Sequence, residues 1–268
     1  MPRFAANLST LYAHLPLTEA CAEVGALGFV AAECLWPYAV PAASFRAALD
    51  GAALVPVLMN TPPGDREAGE LGRAALPGRE ALFESDFSRA LDYACALGCA
   101  QLHVMAGRVP AGVPRERCVD TFVANLRAVA PRARARGVRL LLEPLNRHDV
   151  PGYLHATVAE TRAIIERVGE AGVLLQFDCY HLQITQGDLA GALRENLDLI
   201  GHVQFSSVPG RHEPQYGEVD MQALFELLDT LGYAGWVGCE YTPNSTLADG
   251  LGWGRRYGLG VGAGARDL

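Results

Sequence analysis

The segment Val138-Arg-Leu-Leu-Leu-Glu143 decides the fold, because it is an apolar run that ends on a carboxylate and has three later counterparts. These are Val173-Leu-Leu-Gln-Phe-Asp178, Gly201-His-Val-Gln204 and Trp236-Val-Gly-Cys-Glu240, and their polar ends are 35, 26 and 36 residues apart. That spacing is typical of one strand plus one helix. Parallel strands joined by helices point the same way, so their carboxyl ends gather at one end of the sheet. The four polar residues are therefore predicted to converge.

Eight strand-like runs alternate with helix-like segments along the whole chain. The predicted strands are Arg3–Leu8, Phe29–Leu35, Ala53–Asn60, Gln101–Ala106, Val138–Pro144, Val173–Cys179, Gly201–Ser207 and Trp236–Thr242. The predicted helices are Leu17–Leu27, Arg79–Leu97, Arg115–Arg136, Thr157–Val168, Asp188–Leu199 and Met221–Leu231, several followed by glycine. This alternation predicts an α/β fold, a single (β/α)8 TIM barrel over residues 1–258, with a Gly-rich and flexible tail over 259–268.

Composition excludes several classes of function. The 268 residues are half hydrophobic and carry a net charge of −8, which disfavours nucleic acid and anionic membrane surfaces as partners. No window resembles a membrane span, and the N-terminus has no secretory pattern. The seven cysteines include no CxxC pair, so we expect reduced thiols in a cytoplasmic protein.

Three carboxylates brought together repel one another unless a cation lies among them. Glu143, Asp178, Gln204 and Glu240 offer only oxygen ligands, which favours Mg²⁺, with Mn²⁺ or Co²⁺ as further options, over zinc. Glu143 and Glu240 are also predicted to act as the acid and base of proton transfer.

Other polar residues at or just beyond strand ends are candidates for substrate binding. An arginine could receive a substrate carboxylate through two hydrogen bonds, and a histidine, amide or glutamate could bind a hydroxyl or carbonyl. These candidates are His181, Arg108, Arg211, Asn7, Asn60 and Glu33. Two long segments, Thr61–Pro77 and Val208–Val219, follow the third and seventh strands and are predicted to be lids or substrate contacts. His103 is expected to pack inside the barrel or against a helix.

The chain resembles the xylose isomerase-like barrel superfamily of sugar isomerases and epimerases, and within it the hydroxypyruvate isomerase branch. The resemblance rests on Phe4-Ala-Ala-Asn-Leu8, Asn60-Thr-Pro-Pro-Gly-Asp65, Leu76-Pro-Gly-Arg79, Leu142-Glu-Pro-Leu-Asn146, Gln176-Phe-Asp-Cys-Tyr-His181, Gly201-His-Val-Gln204, Gly217-Glu-Val219 and Gly235-Trp-Val-Gly-Cys-Glu-Tyr241. It implies a metal held by Glu143, Asp178, Gln204 and Glu240. It also implies that hydroxypyruvate and tartronate semialdehyde are interconverted through an enediolate.

Several other functions stay open at the level of sequence. A 2-oxo-tetronate isomerase or a ketose 3-epimerase would use the same site, although ketose 3-epimerases of the superfamily usually have histidine where this chain has Gln204. An endonuclease-IV-type nuclease shares the fold, but it holds several zinc ions with extra histidines, and this chain has seven histidines in all. A non-catalytic barrel that binds sugar acids would not need two bases. A homo-oligomer is compatible with every one of these functions.

Overall fold

The computed structural model describes residues 1–260, in which eight parallel strands close into a barrel in sequence order. The strands are β1 (Arg3–Asn7), β2 (Ala31–Cys34), β3 (Val55–Asn60), β4 (Gln101–His103), β5 (Arg139–Leu142), β6 (Val173–Asp178), β7 (Ile200–Phe205) and β8 (Trp236–Cys239). Strand β1 pairs with both β2 and β8, which closes the ring. The prediction of a (β/α)8 TIM barrel is confirmed.

The helices surround this barrel, and the six predicted helices occur in the predicted order together with five shorter or unpredicted ones. They are α1 (Leu8–Leu11), α2 (Leu17–Ala26), α3 (Ala42–Gly51), α4 (Glu80–Leu97), α5 (Arg115–Ala135), α6 (Val158–Val168), α7 (Cys179–Thr185), α8 (Leu189–Asn196), α9 (Met221–Thr230), α10 (Leu247–Gly250) and a 3₁₀ helix at Leu251–Tyr257. The sequence analysis missed α3 and α7, and it also missed the four-residue helices α1 and α10 and the 3₁₀ helix. Helix α4 ends where predicted, because Gly98 takes the left-handed conformation (φ 69°) and the chain turns into β4.

Two apolar layers hold the barrel together. The large outer layer packs the helices onto the sheet, and it includes an aromatic group in which Phe4 contacts Phe205, Phe225 and Trp253. A small inner cluster fills the lower barrel with residues that include Ala5, Ala31 and Leu141. Successive side chains of a strand alternate between these layers. The next inward positions toward the carboxyl end are polar, and they form the floor of the site.

The carboxyl end of the barrel carries both predicted long segments. The segment after β3 is fixed by ion pairs of Arg73 with Glu70 and Asp86. The segment after β7 holds Arg211, whose backbone lies in the left-handed region (φ 55°). At the other end of the chain, Leu259 is buried and the Gly260 amide donates to the Leu27 carbonyl at 2.8 Å. The rest of the predicted tail, 261–268, lies outside the described residues.

Within residues 1–260, no helix combines the length and the apolar character needed to span a membrane.

Candidate active site at the carboxyl end of the barrel

The three predicted carboxylates come together at the carboxyl ends of their strands. Glu143 directly follows β5, Asp178 is the last residue of β6, and Glu240 directly follows β8. All three are buried. Glu143, Asp178 and His181 each offer one ligand atom within 4.8 Å of the others, a group that could hold a metal ion.

The two carboxylate oxygens of Asp178 have different roles: one caps a helix and the other faces the site. Its Oδ1 caps α7 by accepting a hydrogen bond from the Tyr180 amide at 2.8 Å. Its Oδ2 is buried and has no hydrogen-bond partner among the described residues. A buried carboxylate oxygen without a donor is costly, so this atom fits a cation or a substrate hydroxyl. The capping hydrogen bond fixes the orientation of the Asp178 side chain, because α7 begins directly after β6.

The electrostatics of the site also fit a cation. Burial, together with repulsion from Glu240 and Asp178, raises the pKa of Glu143 well above its usual value. Burial likewise raises the pKa of Glu240, although the nearby Arg211 guanidinium opposes that shift. A general base must be ionised to accept a proton, and a divalent cation among these groups would favour their ionised forms. The donor set, mainly carboxylate oxygens, suits a hard divalent ion.

Gln204 lies in β7 beside this group, but its amide is engaged by protein partners. Its Nε2 donates to Glu240 Oε2 at 2.5 Å and to Glu33 Oε1 at 2.8 Å. Its Oε1 accepts from Gln176 Nε2 at 2.5 Å. A role as metal ligand would require the oxygen to turn from Gln176 toward the carboxylates, so that role stays a prediction.

His181 lies on α7 and presents a hydrogen-bond donor to the site. Its Nδ1 lies 2.8 Å from Asn146 Nδ2 and 3.2 Å from the Asn146 amide, and both of these groups are donors. The Asn146 orientation is fixed by Asp149, which accepts from the same Nδ2 at 3.0 Å. Nδ1 is therefore the acceptor, which places the proton on Nε2, 3.8 Å from Asp178 Oδ2. Burial lowers the pKa of His181 to about 4, so the ring is neutral at pH 7.

The two candidate arginines have different positions. Arg211 lies against the carboxylates, with Nη2 2.7 Å from Glu240 Oε1 and 3.7 Å from Asp178 Oδ2. Its guanidinium also covers the Tyr180 ring at 4.8 Å. Arg108 instead donates to the Pro151 carbonyl at 3.0 Å, and it has no ion pair with the carboxylates among residues 1–260. The structure therefore brings Arg211, and not Arg108, to the acidic group.

The remaining candidates lie around the floor of the site. Glu33 is buried, and its Oε1 accepts from Asn7 Nδ2 at 2.9 Å as well as from Gln204. Its Oε2 lies 2.7 Å from His202 Nε2. Asn7 also caps α1 through its side-chain oxygen. The side chain of Asn60 is buried at the end of β3, and its role in substrate binding stays a prediction.

One neighbour of the carboxylates was not assigned to the site from sequence. His103 Nδ1 lies 3.2 Å from Glu143 Oε2, and neither ring nitrogen makes a hydrogen bond among the described residues. Burial lowers its pKa to about 3, so this contact is not a salt bridge at neutral pH. The available signal was strand alternation, since His103 pairs with Leu141, two residues before Glu143.

With this geometry in place, comparison with known proteins identifies the family. The family model of the xylose isomerase-like TIM barrel matches residues 19–257. The chain belongs to the xylose isomerase-like TIM barrel family. A 2-oxo-tetronate isomerase of Cupriavidus necator is 49% identical over 96% of this chain and 99% of its own length. The hydroxypyruvate isomerase of Escherichia coli is 36% identical over 94% of this chain and 98% of its own length.

These relatives are isomerases matched almost from end to end, so this member of the family is an isomerase, an intramolecular oxidoreductase. A crystal structure described as an AP endonuclease, family 2, from Brucella melitensis superposes with a TM-score of 0.93 at 42% identity. It covers 96% of this chain and 99% of that one.

Proposed function

We propose that the protein is a metal-dependent isomerase of short hydroxy-oxo acids. Two substrate pairs fit the proposal: hydroxypyruvate with tartronate semialdehyde, and the four-carbon 2-oxo-tetronate with its 3-oxo isomer. The names of the relatives support both pairs equally. The observation that carries the proposal is the buried group of Glu143, Asp178 and Glu240 beside Arg211 and His181.

The proposed reaction moves one hydrogen between adjacent carbons of the substrate. One carboxylate removes the proton from the hydroxyl-bearing carbon, which leaves an enediolate, and a carboxyl group returns a proton to the neighbouring carbon. The hydroxyl proton moves to the former carbonyl oxygen, so atoms and charge balance. Glu143 and Glu240 are the proposed proton carriers, because both are buried at the site and the Glu240 charge helps to raise the pKa of Glu143.

The residues that would hold the metal are Glu143, Asp178 and Glu240, and the predicted ligand Gln204 contacts Glu240 through its Nε2. When bound, a Mg²⁺-type ion would stabilise the negative charge that develops on the two substrate oxygens and would keep the carboxylates ionised. The unpartnered Asp178 Oδ2 supports this assignment. Mn²⁺ or Co²⁺ would serve the same ligands.

Two positively polarised groups are proposed to hold the substrate. Arg211 would receive the substrate carboxylate, since a guanidinium binds a carboxylate through two parallel hydrogen bonds. The proton on His181 Nε2 would bind a substrate oxygen, and Asn146 keeps the ring in the required tautomer. His181 is buried, whereas the Arg211 side chain is 32% exposed and reaches the site from the solvent side.

Alternative chemistries receive less support. The sequence contains no lysine, so the enzyme cannot activate a carbonyl as a Schiff base with a lysine side chain. A zinc nuclease needs several histidines around its ions, whereas the candidate metal-binding group found among the described residues contains one histidine. The net charge of −8 also opposes binding to DNA. The seven free cysteines support a reducing compartment such as the cytoplasm.

A substrate panel tests the proposal. Chelator-treated protein is supplied with Mg²⁺, Mn²⁺ or Co²⁺ and then with hydroxypyruvate, 2-oxo-tetronate or a ketohexose, and isomers are followed by NMR. We expect turnover of a three- or four-carbon acid only after metal is restored. Turnover of the ketohexose alone would replace the proposal with a 3-epimerase, and full activity without metal would remove the metal from it.

A further inference from the structure

Beneath the carboxylates lies a buried polar floor that the proton chemistry does not use directly. We define it by three residues on neighbouring inward positions: Glu33 on β2, and His202 and Gln204 on β7. Glu33 is 2% exposed and lies below Gln204, which in turn contacts Glu240. A charged side chain in this position is costly to bury unless it is fully hydrogen-bonded.

Every oxygen of Glu33 has a protein partner. Oε1 accepts from Asn7 Nδ2 at 2.9 Å and from Gln204 Nε2 at 2.8 Å, and Oε2 lies 2.7 Å from His202 Nε2. A carboxylate with these partners has little capacity left for a substrate hydroxyl. This arrangement favours a role different from the substrate contact that the sequence suggested.

The fold also keeps space for this carboxylate. A Cβ added at Gly238, on the adjacent strand β8, would lie 2.4 Å from Glu33 Oε2 and 2.6 Å from Oε1. Glu33 therefore rests against the bare backbone of β8, and any side chain at Gly238 would displace it. Glu240 lies two residues after Gly238, directly after the end of β8.

We propose that Glu33 is a positioning residue that orients the Gln204 amide and, through it, Glu240. Glu33 Oε1 accepts from the Gln204 nitrogen and holds it toward the floor, and in this orientation the amide oxygen faces Gln176. Because Gln204 Nε2 also donates to Glu240 Oε2, the same contact sets the position of one of the two proposed proton carriers. Groups that orient metal ligands in this way commonly change metal affinity by about 10- to 100-fold when they are replaced.

This inference rests on the proposed metal-assisted isomerase, and three variants at one position separate geometry from charge. Glu33→Gln keeps the shape and an acceptor oxygen for Asn7 and Gln204. Its new amide can donate to His202 Nε2, because the unpartnered His202 Nδ1 can take the ring proton. Glu33→Asp keeps the charge but withdraws the carboxylate by one methylene. Glu33→Leu removes the acceptor.

The first measurement is the affinity for Mn²⁺ alone, by calorimetry on purified full-length protein without substrate. We expect Glu33→Gln to stay within about threefold of wild type, and Glu33→Asp and Glu33→Leu to bind about 10- to 100-fold more weakly. Asn196→Leu is the matched control, since Asn196 is a buried polar residue of α8 that contacts Arg162 and not the floor. It should lower stability without changing metal affinity.

The second measurement is kcat with the substrate found by the panel, in the same variants. The value of kcat should stay near wild type in Glu33→Gln and fall in Glu33→Asp and Glu33→Leu. KM should change less than kcat, because a displaced proton carrier slows the chemical step more than it weakens substrate binding. Glu33→Leu should add nothing further in a Gln204→Leu background if Glu33 acts through Gln204.

The outcomes distinguish this inference from the proposed function. If Glu33→Asp retains function and Glu33→Gln loses it, the charge of Glu33 is required and the positioning role is wrong. Equal behaviour of all three variants would also overturn it. If wild-type protein binds no Mn²⁺, the metal part of the proposed function fails, and the order of kcat alone decides the role of Glu33. Should Glu33→Leu fail to fold, the comparison of Gln with Asp gives the same decision.

Discussion

Replacing Gly238 with alanine gives the most direct test of the packing under the site. The added Cβ would lie 2.4, 2.6 and 2.7 Å from Oε2, Oε1 and Cδ of Glu33. Normal contact would require the carboxylate to move by about 1 Å, which would lengthen its three buried contacts of 2.7 to 2.9 Å beyond hydrogen-bonding range.

Each buried donor left unpaired costs about 1–3 kcal/mol, so we expect Gly238→Ala to lower the free energy of unfolding by about 3–5 kcal/mol. For a chain of this size that corresponds to a fall in Tm on the order of 10 °C. Urea denaturation at pH 7.5 measures the change. Gly51→Ala is the matched control, because a Cβ at Gly51, the last residue of α3, meets nothing within 4 Å. Its stability should stay equal or rise by up to about 1 kcal/mol.

A double-mutant cycle makes the test specific. In a Glu33→Ala background the clash is removed, so Gly238→Ala should cost less than about 1 kcal/mol there. An equal cost in both backgrounds would show that the carboxylate is not what the alanine meets. A single variant within about 0.5 kcal/mol of wild type would refute the reasoning altogether.

Three further predictions concern the site and the buried histidines. Asp178→Ala should abolish metal retention, measured by elemental analysis after gel filtration, and retention at the wild-type level would contradict the ligand assignment. Glu143→Gln and Glu240→Gln should each lower kcat by about 100-fold or more and should differ in solvent deuterium exchange; near-normal turnover in both would remove the pair from the mechanism. Burial lowers the pKa of His155 to about 3 from its ordinary 6.5, so its contribution to stability is complete above pH 6.5 and is lost as pH falls toward 3. Between pH 8 and pH 5, urea midpoints should show wild type losing about 2 kcal/mol more than His155→Asn, and equal losses would contradict a buried neutral ring.

The parts of the fold that could be predicted are those encoded locally. Each carboxylate follows an apolar run in the chain, so its place at the end of a strand is visible without any tertiary information. Helix α7 was missed because Asp178 looks like the end of a strand, although it also caps the helix that starts at the next residue. Helix α3 was missed because only Phe45 and Leu49 of its ten residues are buried, which leaves little apolar periodicity to detect.

The partners of Glu33 and Arg211 could not be predicted, because they depend on closure of the barrel. Glu33 and His202 are 169 residues apart in sequence, and they meet only when the inward positions of β2 and β7 share the interior. In the sequence, Arg211 and Arg108 were equivalent candidates for binding the substrate carboxylate. The loop after β7 places Arg211 over the Tyr180 ring, and this position could not be read from the sequence. Sequence identifies which residue types could act, while the register of the closed sheet decides which of them meet.

The charges at the site explain why a single arginine is not enough for the proposed reaction. Arg211 already pairs with Glu240, and Asp178 Oδ2 lies 3.7 Å from the same nitrogen, so one positive charge faces three carboxyl groups. The proposed substrates are themselves anions, and each would add a further negative charge to a buried space where repulsion is poorly screened. If Arg211 turns to receive the substrate carboxylate, Glu240 loses its cationic partner. A divalent cation would restore the balance and leave Arg211 free for the substrate, which is the physical reason to assign the two cations separate roles.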